Sequence, residues 1–258
     1  MHIPSYLILN MLLLRRFATL KPDKILYSQI RDAFFQVFKD QTLVPLYIRL
    51  GFHDAGTFDK CDNSGGPHGS IRFEKQLNYP VNRGLKKGMP SLNLLKQSFP
   101  QVSYADLIQA GVASAVEFAK GPLIPFKFGR IDAQTDCEVP PEDRLPNPLD
   151  DLEKLREIFS RMGLTDADLV ALSGGHTVGK DGVVDKPWTH DNTIFNNSYF
   201  VELIKKEGSA SLIRFPCDKA LLSSKETKDL AIVFANNEKE FFKHFTLAQQ
   251  KLSELGNN

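Results

Sequence analysis

The sequence predicts a mainly α fold arranged as two helical lobes. Three observations carry that prediction: apolar residues recur at helical spacing along most of the chain, strand signals are few, and a proline-rich stretch at residues 120–148 shows no helical period. The 258 residues suffice for a sizeable core, as one large domain or two small lobes. The lobes are expected at residues 23–145 and 146–258, with residues 1–22 as a separate segment.

The first 22 residues contain no Asp or Glu and carry Arg15, Arg16 and Lys21. Their apolar run, residues 6–14, is shorter than the roughly 20 residues a bilayer span needs. Its positive charges follow the run, whereas a secretory signal places them before it. An organellar presequence, mitochondrial by preference, is the expectation; a disordered start is the alternative.

Residues 23–38 place Ile25, Ile30, Phe34 and Phe38 at near-helical spacing. Pro45 suits the opening of a second helix, where its missing N–H costs nothing. Residues 61–69, rich in Gly and polar groups, read as a loop. Helices are expected at 82–98 and at 104–118, the latter opened by a capping box of Ser103 and Asp106. Beyond the proline-rich stretch, residues 149–162 carry an apolar stripe of Leu152, Leu155, Ile158 and Phe159. Thr165 and Asp168 box the start of a short helix ending at Gly174-Gly175. Further helices are expected at 198–206, 225–236 and 238–255.

Lys plus Arg number 32 and Asp plus Glu 31, a net charge of +1 that gives no reason to expect a nucleic-acid partner. Three cysteines, Cys61, Cys137 and Cys217, cannot all pair internally and point to a reducing, intracellular compartment.

Two histidine runs carry the chemistry. In Arg49-Leu-Gly-Phe-His53, helical spacing puts Arg49, Phe52 and His53 on one face: a guanidinium, an aromatic wall and an imidazole suited to acid–base work on a small polar molecule. A lone histidine more often satisfies itself in a core; Arg49 on the same face weighs against that. In Ala171-Leu-Ser-Gly-Gly-His176, an imidazole follows a Gly-Gly pair that lets a large flat ligand approach.

Other motifs join them in order: Gly65-Gly-Pro67 with Ile71-Arg-Phe73, Ser103-Tyr-Ala-Asp106, Gly129-Arg130, Arg144-Leu-Pro146, Pro187-Trp188 and Phe215-Pro-Cys-Asp218-Lys-Ala-Leu-Leu222. With these, the chain resembles the haem peroxidases of the plant, fungal and bacterial superfamily, and within it the intracellular branch of ascorbate peroxidase and cytochrome c peroxidase. The resemblance runs from about Leu43 to Gly256. It implies haem b held between a distal and a proximal helical domain, and reduction of hydrogen peroxide to water at the expense of a one-electron donor.

On the distal side the resemblance makes His53 the base that carries a proton between peroxide oxygens, Arg49 the cation and Asn82 the acceptor that orients the imidazole. Phe52 stands where the intracellular branch usually has tryptophan and has no indole N–H to donate. Its presence implies weak catalase turnover. Gln76 stands where a glutamate is usual, so the support behind Asn82 is expected to be neutral.

On the proximal side the resemblance makes His176 the axial iron ligand and Asp218 its carboxylate partner, although Asp218 also suits a helix cap. Trp188, the only tryptophan, matches the ring beneath that histidine; a plain core aromatic is the alternative. Lys180 matches a propionate contact or is a solvated lysine, and Pro146 and Ser173 fall on haem-lining positions. Thr177, Thr189, Asp191, Ile194 and Asn196 fall on the potassium site of ascorbate peroxidase, with Asp and Asn interchanged; an ordinary loop is the alternative.

The donor site is where the resemblance weakens. The loop 181–186 is several residues short and lacks the arginine expected there, and the lysine and cysteine positions ahead of the distal helix read as Gln41 and Leu43. An anionic ascorbate loses its charged clamp. Cytochrome c, a phenol, or ascorbate at another edge stay open as donors. So do two other readings of the chain: an inactive structural relative, and a haem peroxide sensor.

Overall fold

The computed structural model describes residues 22–257, so the expected targeting segment lies outside the described residues except for Pro22. The described residues are mainly helical, and among them β pairing is confined to two isolated antiparallel bridges, Asp59 with Ser64 and Lys180 with Pro187.

The first half is built from α1 (Pro22–Val37), α2 (Leu43–Ala55), the single turn α3 (Glu74–Leu77), α4 (Met89–Ser98) and α5 (Tyr104–Phe118). Helix α5 is buried on nearly every face and packs against both α1 and α2. Its all-round apolar sequence, Ala-Asp-Leu-Ile-Gln-Ala-Gly-Val-Ala-Ser-Ala-Val, is what a central helix needs. The buried Phe34, Phe38 and Tyr47 rings meet edge-on or stacked at 5.1–5.6 Å where α1 joins α2.

The second half holds α6 (Leu152–Met162), α7 (Asp166–Ser173), α8 (Ser198–Leu203), α9 (Pro216–Ala220), α10 (Lys225–Asn236) and α11 (Glu238–Ser253). All four expected stripe residues of α6 are buried. Phe195, Phe200, Phe234, Phe241 and Phe245 form a solvent-free aromatic cluster between α8, α10 and α11. Helix α11 packs on α7 and also touches α2, linking the two halves. Residues 120–148 contain two short 3₁₀ turns and are otherwise irregular.

Two local expectations need correction. The helix expected at 82–98 begins only at Met89, because Gly84 takes a left-handed φ of 88° and the preceding residues form 3₁₀ turns. The Ser103 box is half made: the Ser103 hydroxyl accepts from the Asp106 N–H at 3.0 Å, while the Asp106 carboxylate turns to the Gly129 N–H and to a buried ion pair with Arg130 at 2.7 Å. Arg130 also donates to the Ser253 carbonyl at 2.6 Å, which ties α5 to the end of α11. By contrast the Thr165–Asp168 box is complete.

Candidate active site

Helix α2 presents Arg49 and His53 on the face away from α5. His53 is buried, and its Nδ1 lies 2.7 Å from Asn82 Oδ1. The Asn82 amide is oriented from behind, because its Nδ2 donates to the Gln76 carbonyl at 2.7 Å. Asn82 therefore offers an oxygen, His53 carries its proton on Nδ1, and Nε2 keeps its lone pair. Gln76 acts through its main chain; its side-chain oxygen accepts from Ser70 Oγ at 2.6 Å. The support is neutral, as expected, but it is a carbonyl rather than the Gln76 side chain that meets Asn82.

Burial lowers the His53 pKa to about 3, with the Arg49 charge adding to the effect and the Asn82 bond opposing it. Arg49 straddles Asn82: Nη2 donates to the Val81 carbonyl at 2.6 Å and Nη1 to the Arg83 carbonyl at 2.8 Å. One edge of Arg49 meets solvent, yet desolvation by its surroundings lowers its pKa, with Asp181 pulling the other way. Phe52 is half-buried, its ring 6.1 Å from His53 and 6.2 Å from Phe159 of α6.

The second imidazole sits in a 3₁₀ turn, Gly174–Thr177, that continues α7. His176 Nδ1 is 3.2 Å from Asp218 Oδ1, and the Trp188 ring stacks on the imidazole at 4.3 Å and 13°. Asp218 is almost fully buried and collects three further donors: Trp188 Nε1 at 2.9 Å, Tyr199 Oη at 2.8 Å and the Phe215 N–H at 2.8 Å. Burial pushes the Asp218 carboxyl up, but the His176, Tyr199 and Phe215 donors outweigh it and hold it below the usual range. As a carboxylate it can only accept, so His176 donates to it from Nδ1 and Nε2 is the nitrogen left without a protein partner. Both readings of Asp218 hold together, because the Phe215 bond caps α9 while the other oxygen receives His176. Tyr199 is the member of this group that the sequence reading missed; nothing in Asn197-Ser-Tyr-Phe distinguishes it from a core aromatic.

The two imidazoles stand close enough for His176 to act electrostatically on His53. Each has its Nδ1 proton taken by a fixed acceptor and its Nε2 free. Such a pair suits one nitrogen moving a proton and the other ligating a metal.

The remaining sequence candidates divide. Ser173, half-buried, donates its hydroxyl back to the Leu169 carbonyl at 2.9 Å, and Pro146 is half-buried beside buried Leu145. The exposed Lys180 ammonium pairs with Asp185 at 2.5 Å, the solvated-lysine alternative. Thr177 Oγ1 bonds Asn196 Oδ1 at 3.0 Å, and Thr189 Oγ1 bonds the Thr177 and Asp191 carbonyls at 2.8 and 3.1 Å. The Asp191 carboxylate turns instead to Thr193, accepting from its N–H and hydroxyl, and Ile194 is exposed. The loop thus gathers hydroxyl and carbonyl oxygens, while the expected carboxylate points outward.

Residues 26–237 match the model of the family described as Peroxidase. The chain belongs to the peroxidase family. It is 44% identical over 226 residues to L-ascorbate peroxidase 5, peroxisomal, of Arabidopsis thaliana, covering 86% of this chain and 79% of that protein. It is 44% identical over 218 residues to L-ascorbate peroxidase 2, cytosolic, of the same plant, covering 82% and 84%. The cytosolic L-ascorbate peroxidase 1 of Oryza sativa subsp. japonica is 42% identical over 236 residues, 89% and 92% of the two chains. The peroxidase is thus an oxidoreductase with hydrogen peroxide as acceptor, of a family that implies haem, and its helical architecture is that of the haem peroxidase fold.

Proposed function

We propose that this peroxidase holds haem b between its distal and proximal lobes (residues 23–145 and 146–258), reduces hydrogen peroxide to water, and draws two electrons singly from a donor. The observation that carries the proposal is the pair of oppositely employed imidazoles, each with Nδ1 locked by a buried acceptor.

The residues fit the haem. The His176 side chain is 43% exposed although Asp218 beneath it is 2% exposed, so the imidazole is open to an incoming ligand above a dry, negatively charged base. The carboxylate makes that nitrogen a stronger ligand. When bound, the haem supplies an iron that accepts oxidising equivalents from peroxide and returns them one electron at a time. His53, neutral at working pH, takes a proton from one peroxide oxygen at Nε2 and returns it to the other as the O–O bond breaks. Arg49 holds positive charge beside that proton path. Asn82 keeps the acceptor lone pair on Nε2 by fixing the Nδ1 proton. Phe52, Pro146 and Ser173 would line the bound haem, and the Trp188 ring backs His176. Lys180, tied to Asp185, is free to reach a propionate only when that pair opens.

We also assign the oxygens of Thr177, Thr189, Asp191, Ile194 and Asn196 to a potassium ion, with Asp191 and Ile194 contributing main-chain carbonyls; the convergence of Thr177, Thr189 and Asn196 oxygens supports this. Relatives named for ascorbate suggest that donor, but here the arginine of the donor loop is missing. Placement inside the cell is supported by cytosolic and peroxisomal relatives and by three free thiols; a mitochondrial address rests on residues 1–22 alone. Among the described residues no helix is long and apolar enough to cross a membrane.

Expression with haem supply, followed by peroxide addition, tests the reading. A Soret band that shifts with peroxide supports it; colourless protein, or a band indifferent to peroxide, overturns it.

A further inference from the structure

A cavity of about 330 Å³ lies against the turn α3 and shares no residue with the site built on His53 and His176. Leu77 of α3 and Met89 of α4, both buried, form its floor, and Phe73 adds an aromatic wall. The exposed Glu74 and Lys86 stand at its mouth, joined by an ion pair at 2.8 Å. One residue along α3 from Leu77, the Gln76 carbonyl holds Asn82 and, through it, His53. The turn thus stands between this cavity and the distal imidazole.

The polar groups facing this space are mostly donors that lack an acceptor. Arg72 lies over the Phe73 and Tyr104 rings, 4.3 and 5.1 Å from their centroids. Its two Nη groups donate to the main-chain carbonyls of Gly69 and Ala133, so the guanidinium is fixed in place by neutral partners and its Nε–H remains for a ligand. Asn93 Oδ1 accepts the Tyr104 hydroxyl at 3.1 Å, which leaves its Nδ2 to donate. Lys86 gives two hydrogen bonds to Glu74, at 2.8 and 2.9 Å, and keeps a third proton on Nζ. Glu74 is the one carboxylate among the lining residues, and Lys86 neutralises it. An apolar floor under converging cationic donors suits a ligand with a flat hydrophobic body and an anionic end. Met89 adapts to the outline of that body.

We propose that this cavity is a second ligand site, which takes a small aromatic carboxylate. Its ring lies on Phe73, Leu77 and Met89, and its carboxylate meets Arg72 Nε, Asn93 Nδ2 and Lys86 Nζ.

The test titrates the haem-loaded full chain calorimetrically with 2-naphthoate, 2-naphthylmethanol and 2-naphthylmethylammonium. The carboxylate should bind one to one with a Kd of about 1 mM or tighter, and about tenfold more tightly than the alcohol or the ammonium. Lys86→Glu and Asn93→Leu, both at solvent-reached positions, should each weaken it about five- to tenfold with circular dichroism unchanged. The Soret band should not move during the titration, because α3 separates the ligand from the haem cleft. Absence of saturable binding, equal affinity for the three compounds, or unchanged naphthoate affinity in either variant overturns the proposal. So does a Soret band shifted by naphthoate, which places the acid in the haem cleft instead.

Discussion

Replacing Asp54 with asparagine should add a steep acid-side loss of stability that the buried His53–Asp54 pair cancels in the wild type. Asp54 and His53 are neighbours on α2 and both are buried. Burial pushes Asp54 from 3.8 up to about 7, against the Gly69 and Ile71 N–H bonds it accepts, and pushes His53 from 6.5 down to about 3. Taken singly, the lowered His53 pKa makes folding less favourable as pH falls from 6.5 towards 3, because the unfolded imidazole binds the extra proton. The raised Asp54 pKa makes folding more favourable as pH falls from 7 towards 3.8, because the folded carboxyl binds it. Between those limits the unfolded pair carries one proton on the imidazole and the folded pair carries one on the carboxyl. The counts match, and the pair adds no slope. Asp54→Asn removes only the compensating half, leaving about 1.4 kcal/mol per pH unit, or roughly 3 kcal/mol lost between pH 6.5 and 4.5. A pH-independent cost of about 1–3 kcal/mol accompanies it, since asparagine leaves one backbone N–H without an acceptor. Urea midpoints of wild type and variant across this range give the difference directly, and every other titrating group cancels. Parallel curves would refute the reasoning.

Three further outcomes are expected. His53→Leu should slow the reaction with peroxide by about 10²–10⁴-fold in stopped flow while the Soret band shows haem still bound; an unchanged rate would remove His53 from the proton path. Asp218→Asn should raise the midpoint potential of the bound iron in a spectroelectrochemical titration, because it weakens His176 as a donor; a fall would contradict the carboxylate assignment. Phe241→Ala should cost about 3–5 kcal/mol in denaturant unfolding. Its ring is fully buried against Phe200, and a Cβ added at Gly174 would lie 2.4 Å from it, beneath the turn that carries His176. A cost near zero would mean the cluster repacks.

Helices α6, α7 and α10 were legible because their local sequence agrees with their surroundings. Thr165 and Asp168 satisfy each other whatever lies beyond, so the start of α7 could be read locally. Ser103 and Asp106 show how that reading fails. The same spacing promises the same box, but Arg130, 24 residues away, offers Asp106 a stronger partner in a dry interior. Gly84 fails differently: a single left-handed residue interrupts a run that looks helical throughout, and no spacing rule marks it.

The site divides along the same line. Arg49 and His53 share a helical face, so their meeting follows from local geometry. Asn82, 29 residues from His53, and Asp218, 42 from His176, were placed only by family resemblance, because no pattern of spacing encodes a contact across the fold. Resemblance also supplied the direction of each hydrogen bond, with Asn82 and Asp218 as acceptors; what neither it nor spacing supplied is what enforces those directions. The Gln76 carbonyl turns the Asn82 amide, and the turned amide fixes the proton on His53 Nδ1. The same holds at Asp218, where four donors crowd two buried oxygens and keep the carboxyl charged, so that His176 must be the one to donate. Proton placement on the two Nδ1 atoms decides which nitrogens remain free for chemistry, and it comes from one main-chain carbonyl, one main-chain N–H and a tyrosine that carry no signature in the sequence.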